Sequence, residues 1–161
     1  MKVVYHDKYR EVYSSDPASA PGRMESIYSE LWGHFKFVKP KPANEEDLKL
    51  VHWQDHIEAM KRHRLIYEIA ILAVGGAIKA AELAVKGEPI FGLIRPPGHH
   101  ASKDSSWGFC YFNNIAVSIE KLRQSQKIKR ASIIDVDLHY GDGTANIFAG
   151  IPEVSYYHPS A

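Results

Sequence analysis

The sequence has little cysteine, little net charge and no uninterrupted run of apolar residues long enough for a membrane span. Its single cysteine, Cys110, excludes an intramolecular disulfide framework and zinc sites built from two CxxC pairs. Its 20 basic and 19 acidic side chains leave a formal net charge of +1. This charge is too small for binding nucleic acid or anionic lipid through a general basic surface. We therefore expect any ligand to be recognised by specific side chains in a defined site and not by the overall charge of the protein.

Signals for secretion and membrane insertion are also missing from the pattern. The longest apolar stretch, Ile69 to Val85, is interrupted by Lys79 and Glu82, and the first residues carry charges where a signal peptide needs its apolar region. We expect a cytoplasmic protein with neither a membrane partner nor a direct nucleic-acid partner. One basic cluster is interpreted as a solvated helix end rather than as a nucleic-acid module: Lys121, Arg123, Lys127, Lys129 and Arg130.

The 161 residues are 45% apolar and 24% charged, which is typical of one globular domain with a core. The predicted strands are Val3 to Tyr5, Pro89 to Ile94 and Ala131 to Asp137, and the predicted helices run from Arg23 to near Gly33, from Tyr67 to Lys86 and from Asn114 to Leu122. A short helix is also expected after Asn44, with Asn44 as its cap. The second and third predicted strands are interpreted as buried on both faces, as in a parallel sheet. Strands that alternate with helices predict an α/β fold, in which a parallel sheet is flanked by helices on both faces.

Ligands of parallel α/β sheets bind beyond the carboxyl ends of the strands, so the residues that follow the two later strands are the first candidates for a site. After the second strand come Asp135, Asp137 and His139. In an extended backbone, residues two apart share a face, which would direct these three side chains together and send Val136 and Leu138 into packing. Oxygen and imidazole ligands suit zinc, and also ferrous iron, cobalt or manganese. The alternative is a strand-end aspartate that caps the next turn.

Two adjacent histidines, His99 and His100, follow a Pro-Pro-Gly turn at the end of the other strand. Adjacent imidazoles need separate partners to set their tautomers, and aspartates are the usual ones. The pattern therefore predicts two His–Asp pairs beside a metal, in which a histidine serves as general acid or base. The alternative is a pair of exposed loop histidines.

An aromatic loop, Trp107 to Asn114, allows two interpretations. It either packs on the core with Asn113 as the cap of the next helix, or forms the apolar wall of a tunnel leading to the metal. Cys110 is assigned to packing, because apolar neighbours raise the pKa of a thiol and so suppress its reactivity. Gly141 and Gly143 are interpreted as backbone freedom around Asp142.

Other sites that the same residues might suggest do not fit. A calcium loop that began at Asp135 would need an oxygen ligand, a glycine and a glutamate where the sequence has His139, Tyr140 and Asn146. A dinucleotide fingerprint that began at Gly141 lacks its third glycine, and no Gly-x-Ser-x-Gly nucleophile elbow or P-loop motif occurs. The sequence therefore favours metal-assisted chemistry over nucleotide binding or a serine nucleophile.

Three motifs occur in order: Arg95-Pro-Pro-Gly-His-His-Ala101, Gly108-Phe-Cys-Tyr-Phe-Asn-Asn114 and Ile134-Asp-Val-Asp-Leu-His-Tyr-Gly-Asp-Gly-Thr144. Together they resemble the histone deacetylase and acetylpolyamine amidohydrolase superfamily, and are closer to its prokaryotic and class II members than to class I. With Pro21-Gly-Arg23 the resemblance covers nearly the whole chain. It implies an arginase-like fold, with residues 1–161 as a single partial domain that is incomplete at its C-terminus.

The resemblance also implies roles for the site residues. Asp137 and His139 would be zinc ligands. His100, paired with Asp142, would be the general base, and His99, paired with Asp135, would assist electrostatically or as an acid. The family's third zinc ligand, an aspartate, and its oxyanion-stabilising tyrosine would both lie beyond Ala161.

Further roles follow from the resemblance for substrate and ions. Gly108 and Phe109 would line the tunnel for the acylated chain, and Arg23 would lie at an internal pocket for acetate. Sites for a monovalent cation, such as a structural potassium ion, would be formed by Asp135 and by backbone carbonyls near Asp137, His139 and Phe148.

The implied activity is a zinc-dependent amidohydrolase that removes acetyl or other short acyl groups from acetyl-lysine or acetylpolyamine amines. Iron or cobalt would be an alternative metal, and the substrate would be a small molecule or a peptide. The alternative function is a truncated, inactive remnant of the fold with at most weak metal binding. An exposed sheet edge and apolar face are expected on the C-terminal side, with self-association as the consequence.

Overall fold

The computed structural model describes residues 1–159. Its strands are β1 (Lys2–Val4), β2 (Lys36–Val38), β3 (Ile90–Gly92), β4 (Ala131–Ile134) and β5 (Val154–Tyr157). Its α-helices are α1 (Arg23–Leu31), α2 (Glu45–Leu48), α3 (Gln54–Lys61), α4 (Arg64–Ala84), α5 (Asn114–Gln124) and α6 (Asp142–Phe148), and 3-10 turns span Asp7–Arg10 and Pro17–Ser19. The alternation of strands and helices confirms the predicted α/β class.

The strands form two parallel sheets. In the first, β1 lies between β2 and β3, and in the second, β4 pairs with β5. Val3 and Val4 point to opposite faces of β1 and are both fully buried, so both faces of the first sheet are covered at its centre. A single sheet is expected from the sequence, whereas the described residues place β3 and β4 in separate sheets.

Helix α4 connects the two halves of the core. Its side chains pack against one apolar cluster with β1 and α1, and against a second with α5, α6, β4 and β5. A Cβ atom on Gly75 would lie 1.9 Å from the carbonyl oxygen of Lys41, so only glycine allows this approach. Within residues 1–159, no helix combines the length and apolarity that a membrane crossing requires.

The capping predictions are confirmed. The side chain of Asn44 accepts a hydrogen bond from the Asp47 N–H, and Asp47 bonds back to the Asn44 N–H, which closes a capping box on α2. The side chain of Asn113 accepts from the Ala116 N–H at the start of α5. Both caps satisfy backbone donors that the first helical turn leaves without a partner.

The prediction that β3 and β4 are buried on both faces is wrong. Phe91 in β3 and Ile134 at the end of β4 are exposed, because the described residues leave the sheet face on which each side chain lies uncovered or only partly covered. Strand β4 also stops at Ile134 instead of reaching Asp137. Val136 and Leu138, which were expected to pack, are 81% and 88% exposed in the turn that follows.

Candidate active site

The segment that carries the adjacent histidines is held by buried polar contacts. The Arg95 guanidinium, itself buried, donates to backbone carbonyls of Tyr9, Arg10, Glu11 and Ala20 at 3.0 to 3.3 Å. The Asn114 side chain donates to the carbonyls of Pro96 and Pro97 at 2.7 and 2.6 Å. These bonds fix the backbone that leads into His99.

His99 and His100 each meet their own aspartate. His99 Nδ1 lies 3.0 Å from Asp135 Oδ2, and His100 Nδ1 lies 2.6 Å from Asp142 Oδ1. Since a carboxylate only accepts, each Nδ1–H donates, and Nε2 becomes the acceptor atom of each ring. The ring centroids are 4.0 Å apart. The two His–Asp pairs expected from the sequence are therefore present and adjacent.

Asp135 is the more heavily bonded of the two aspartates. Besides His99, it accepts from the Tyr156 hydroxyl at 2.8 Å and from the Asp137 N–H at 3.1 Å. Burial raises the pKa of Asp135, but the hydrogen bonds from His99, the Asp137 N–H and Tyr156 outweigh burial and hold the pKa below its ordinary value. The Tyr156 hydroxyl also accepts from the Gly141 N–H at 2.8 Å, so it connects β5 to the loop after β4.

Glycines on either side of Asp142 allow the close approach of neighbouring segments at both pairs. A Cβ atom on Gly143 would lie 2.5 Å from the Ala101 carbonyl, and one on Gly141 would lie 2.5 Å from Asp135 Oδ2. Neither glycine has a positive φ. The interpretation of Gly141 and Gly143 as sources of backbone freedom is therefore wrong. Glycine is required at both positions because a larger side chain would collide with neighbouring atoms.

The aromatic loop contacts the second pair directly. The Trp107 indole nitrogen donates to Asp142 Oδ2 at 2.9 Å, and the indole stacks on His100 with a centroid separation of 3.9 Å. Gly108, at φ 56°, lies so close to His100 that a Cβ atom would be 2.8 Å from the ring. Cys110 is buried, in agreement with its assignment to packing, and burial raises its pKa to about 11. Gly108 and Phe109 also line a cavity of about 290 Å³.

Asp137 and His139 lie side by side near His100. Asp137 Oδ1 accepts from the His139 N–H at 2.8 Å and lies 3.3 Å from His139 Nδ1. The His139 and His100 ring centroids are 6.1 Å apart. The three alternating residues do not lie in a strand; Asp135 and Asp137 instead each accept from the backbone N–H two residues ahead. The structure thus contains the turn-capping arrangement weighed as the alternative.

The donor types of Asp137 and His139 fit a zinc ion, which accepts carboxylate oxygen and imidazole nitrogen. Within residues 1–159, however, no group of three histidine, cysteine, aspartate or glutamate side chains is placed to hold a metal. A catalytic zinc usually takes three protein ligands. The described residues therefore offer two donors of the right chemistry, one fewer than such a site requires.

Arg23 is not brought to this group. It is the exposed first residue of α1, and no described contact joins it to either His–Asp pair. Its role at an acetate pocket and the potassium sites near Asp135, Asp137, His139 and Phe148 stay predictions.

The sequence analysis did not identify Tyr156 as a site residue, and it assigned no specific contact to Trp107. Residues 154–157 were not predicted as a strand, although β5 ends at the same place as β4 and the strand-end rule applies to it equally. His158, just after β5, lies 2.9 Å through Nε2 from the Asp137 carbonyl oxygen. For the hydrogen bond of Trp107 the sequence carries no signal, because its partner Asp142 lies 35 positions away.

Comparisons with known proteins agree with this geometry. A family model described as "Histone deacetylase domain" matches residues 18–158. A probable deacetylase of Methanothermobacter thermautotrophicus is 38% identical over 136 residues, covering 75% of this chain and 41% of that protein. The polyamine deacetylase HDAC10 of Danio rerio is 30% identical over 174 residues, covering 89% of this chain and 26% of that protein.

Among solved structures, the HDA15 HD domain superposes with a TM-score of 0.88 at 26% identity, covering 98% of this chain and 52% of that one. The chain thus spans about half of that structure and less than half of the two relatives. The strand-end histidines, their aspartates and the matched residues lead to one conclusion: this chain belongs to the histone deacetylase family.

Proposed function

We propose that this chain carries the proton-transfer half of a zinc-dependent amidohydrolase that removes acetyl or other short acyl groups from amines. The observation that carries the proposal is the pair of adjacent histidines, each with Nδ1 bonded to its own aspartate. This arrangement directs both Nε2 atoms away from the aspartates. An imidazole held in this way presents its Nε2 lone pair to a proton donor, as a general base must.

His100 is the base in this proposal. Its Nε2 takes a proton from the water that attacks the amide carbonyl, and Asp142 stabilises the imidazolium that results. The same nitrogen then returns the proton to the departing amine, so the products are a free amine and a short carboxylate. His99 and Asp135 assist electrostatically from beside it, at a ring separation of 4.0 Å.

Asp137 and His139 would hold the metal, together with a third ligand that the described residues do not supply. When bound, zinc would polarise the amide carbonyl and lower the pKa of the attacking water. Iron or cobalt has the same ligand preferences here and is the alternative. Potassium near Asp135 would have a structural role.

The proposed substrates are acetyl-lysine in a peptide or protein and acetylated polyamines. Gly108 and Phe109, beside His100, would line the path of the acylated chain. One relative is named as a polyamine deacetylase and another, from Pseudomonas aeruginosa, as a histone deacetylase-like amidohydrolase, so both substrate classes belong in the test. We also propose a cytoplasmic location and self-association through an exposed sheet edge and apolar face on the C-terminal side.

The experiment measures metal content and turnover separately on the purified chain. Zinc is quantified before and after chelation, and acetate release is followed from an acetyl-lysine peptide and an acetylpolyamine. We expect chelator-sensitive release, with loss of zinc in His139→Ala and its retention in the matched variant His34→Ala, which changes an exposed histidine outside the site. Bound zinc without turnover would favour the inactive remnant. Turnover that survives complete removal of metal would contradict the proposed chemistry.

A further inference from the structure

Trp107 makes two contacts with the His100–Asp142 pair, and the proposed reaction assigns it no part. Its indole nitrogen donates to Asp142 Oδ2 at 2.9 Å, while His100 bonds to the other oxygen, Oδ1, at 2.6 Å. Its ring lies over the imidazole at 3.9 Å between centroids and 31° between planes. One side chain thus contacts both members of the pair.

Burial does not explain this placement. Trp107 is 56% exposed, close to the 61% of Trp53, a tryptophan outside the site. A mostly exposed indole gains little from the hydrophobic effect, so its orientation depends on specific contacts. The contacts that the structure provides are the hydrogen bond to Asp142 and the stacking on His100.

The loop that carries Trp107 is held from the core side by two buried histidines. His52 Nδ1 bonds to the Ser102 carbonyl at 2.8 Å, and its Nε2 accepts from the Asn113 N–H at 3.0 Å. His56 Nε2 bonds to the Tyr111 carbonyl at 2.8 Å. Burial lowers the pKa of His52 to about 3, so it stays neutral and keeps one donor and one acceptor. Trp107 is therefore presented on an anchored loop.

We propose that Trp107 is a positioning residue for His100, an assignment that rests on His100 being the base of the proposed reaction. Its N–H occupies the second oxygen of Asp142, which keeps the first oxygen directed at His100 Nδ1. That bond maintains the tautomer in which Nε2 accepts the proton. The indole face also attracts the imidazolium formed in the reaction, since tryptophan is the best aromatic partner for a cation.

The first test uses nuclear magnetic resonance on the chain itself, and needs no turnover. The three tryptophans have three indole N–H signals. Trp107→Phe identifies one of them by its loss, and Trp53→Phe identifies another as the control. We expect Asp142→Ala to move the Trp107 signal upfield and leave the Trp53 signal in place. We also expect Trp107→Phe to reduce the share of His100 in the Nδ1–H tautomer. An unmoved indole signal or an unchanged tautomer would overturn the proposal.

The second test is kinetic. Trp107→Phe keeps a ring over His100 but loses the N–H, and we expect kcat to fall about tenfold, the usual effect of losing a hydrogen bond to a charged group. KM should change less than kcat, and Trp107→Leu, which lacks both contacts, should lose more. Trp53→Phe should leave both constants unchanged. A change in KM alone would overturn the positioning role. Absence of turnover in the unsubstituted chain would count against the proposed function, and the resonance experiment then decides on Trp107 separately.

Discussion

The two adjacent His–Asp pairs look equivalent in the sequence and differ in the structure. In the first, the His99 and Asp135 side chains are 16% and 13% exposed. In the second, His100 is 5% exposed but Asp142 is 51% exposed. Their third partners differ as well, because Asp135 accepts from the Tyr156 hydroxyl and Asp142 accepts from the Trp107 indole.

This difference indicates a structural role for the first pair and suits the second pair to the proposed reaction. Asp135 lies directly after β4 and is bonded to a residue of the neighbouring strand, so the first pair is part of the packing between β4, β5 and the loop that joins β4 to α6. Asp142 begins α6 and reaches His100 from a separate element, under an aromatic loop. The second pair thus joins two separate elements and keeps a half-exposed carboxylate, which suits the proton transfer proposed for His100.

The largest expected effect is on turnover. His100→Ala should lower kcat by about 10²- to 10⁴-fold, the range that a general acid–base residue contributes, while His99→Ala should lower it less. Both variants should retain zinc, because neither residue is a proposed ligand. Acetate release and metal content are measured on the same samples. Loss of metal in His100→Ala would contradict its assignment as the base.

The two glycines test whether the pairs depend on steric approach. Gly143→Ala places a methyl group 2.5 Å from the Ala101 backbone, which cannot move aside, and should cost about 3 kcal/mol of stability. Gly141→Ala meets the side-chain oxygens of Asp135 and Tyr156, which can move only by giving up a hydrogen bond, and should cost about 1 to 2 kcal/mol. Urea unfolding gives both values. Equal costs would mean that the neighbouring backbone yields as readily as the side chains.

Tyr156→Phe tests the third partner of the first pair. The variant removes the hydroxyl that donates to Asp135 and accepts from the Gly141 N–H, so the free energy of unfolding should fall by about 1 to 2 kcal/mol. Tyr157→Phe, at an exposed neighbouring position, is the matched control and should stay within about 0.5 kcal/mol. A loss of the same size in both variants would show that the hydroxyl network contributes nothing specific.

The smallest expected effect is on the pH dependence of stability. Burial raises the pKa of Asp142, but hydrogen bonds from His100 and Trp107 outweigh burial and hold it below its ordinary value. The unfolded chain then binds more protons, so this contribution is present above the unfolded pKa and disappears as pH falls through the folded one. Urea unfolding over the acid range should show a shallower decline in Asp142→Asn. If the stability of Asp142→Asn and that of the unsubstituted chain fall in parallel as pH decreases, the Asp142 carboxylate does not contribute to acid unfolding.

Much of the framework was predictable from local rules. The apolar spacing that starts at Arg23 and the alanine-rich segment from Tyr67 correspond to α1 and α4, and Asn44 and Asn113 cap the helices that follow them. These signals are short-range, since a cap or an amphipathic face is set by residues within a few positions of each other. Burial of β3 and β4 was mispredicted for the complementary reason. The apolar sequence of a strand does not show whether other elements of the fold cover its two faces.

The residue types at the strand ends by themselves determined the chemistry on offer: three imidazoles, three carboxylates, and glycines where the backbone must approach closely. The family resemblance already implied both His–Asp pairs, but only the tertiary structure brings their members together and adds the third partners. His99 finds Asp135 across 36 positions and His100 finds Asp142 across 42, and Tyr156 and Trp107 join them from two further segments. The physical reason is the short range of the hydrogen bond. Side-chain hydrogen bonds act over about 3 Å, so the partner of each group depends on how the sheets and helices pack, and no local pattern encodes that packing.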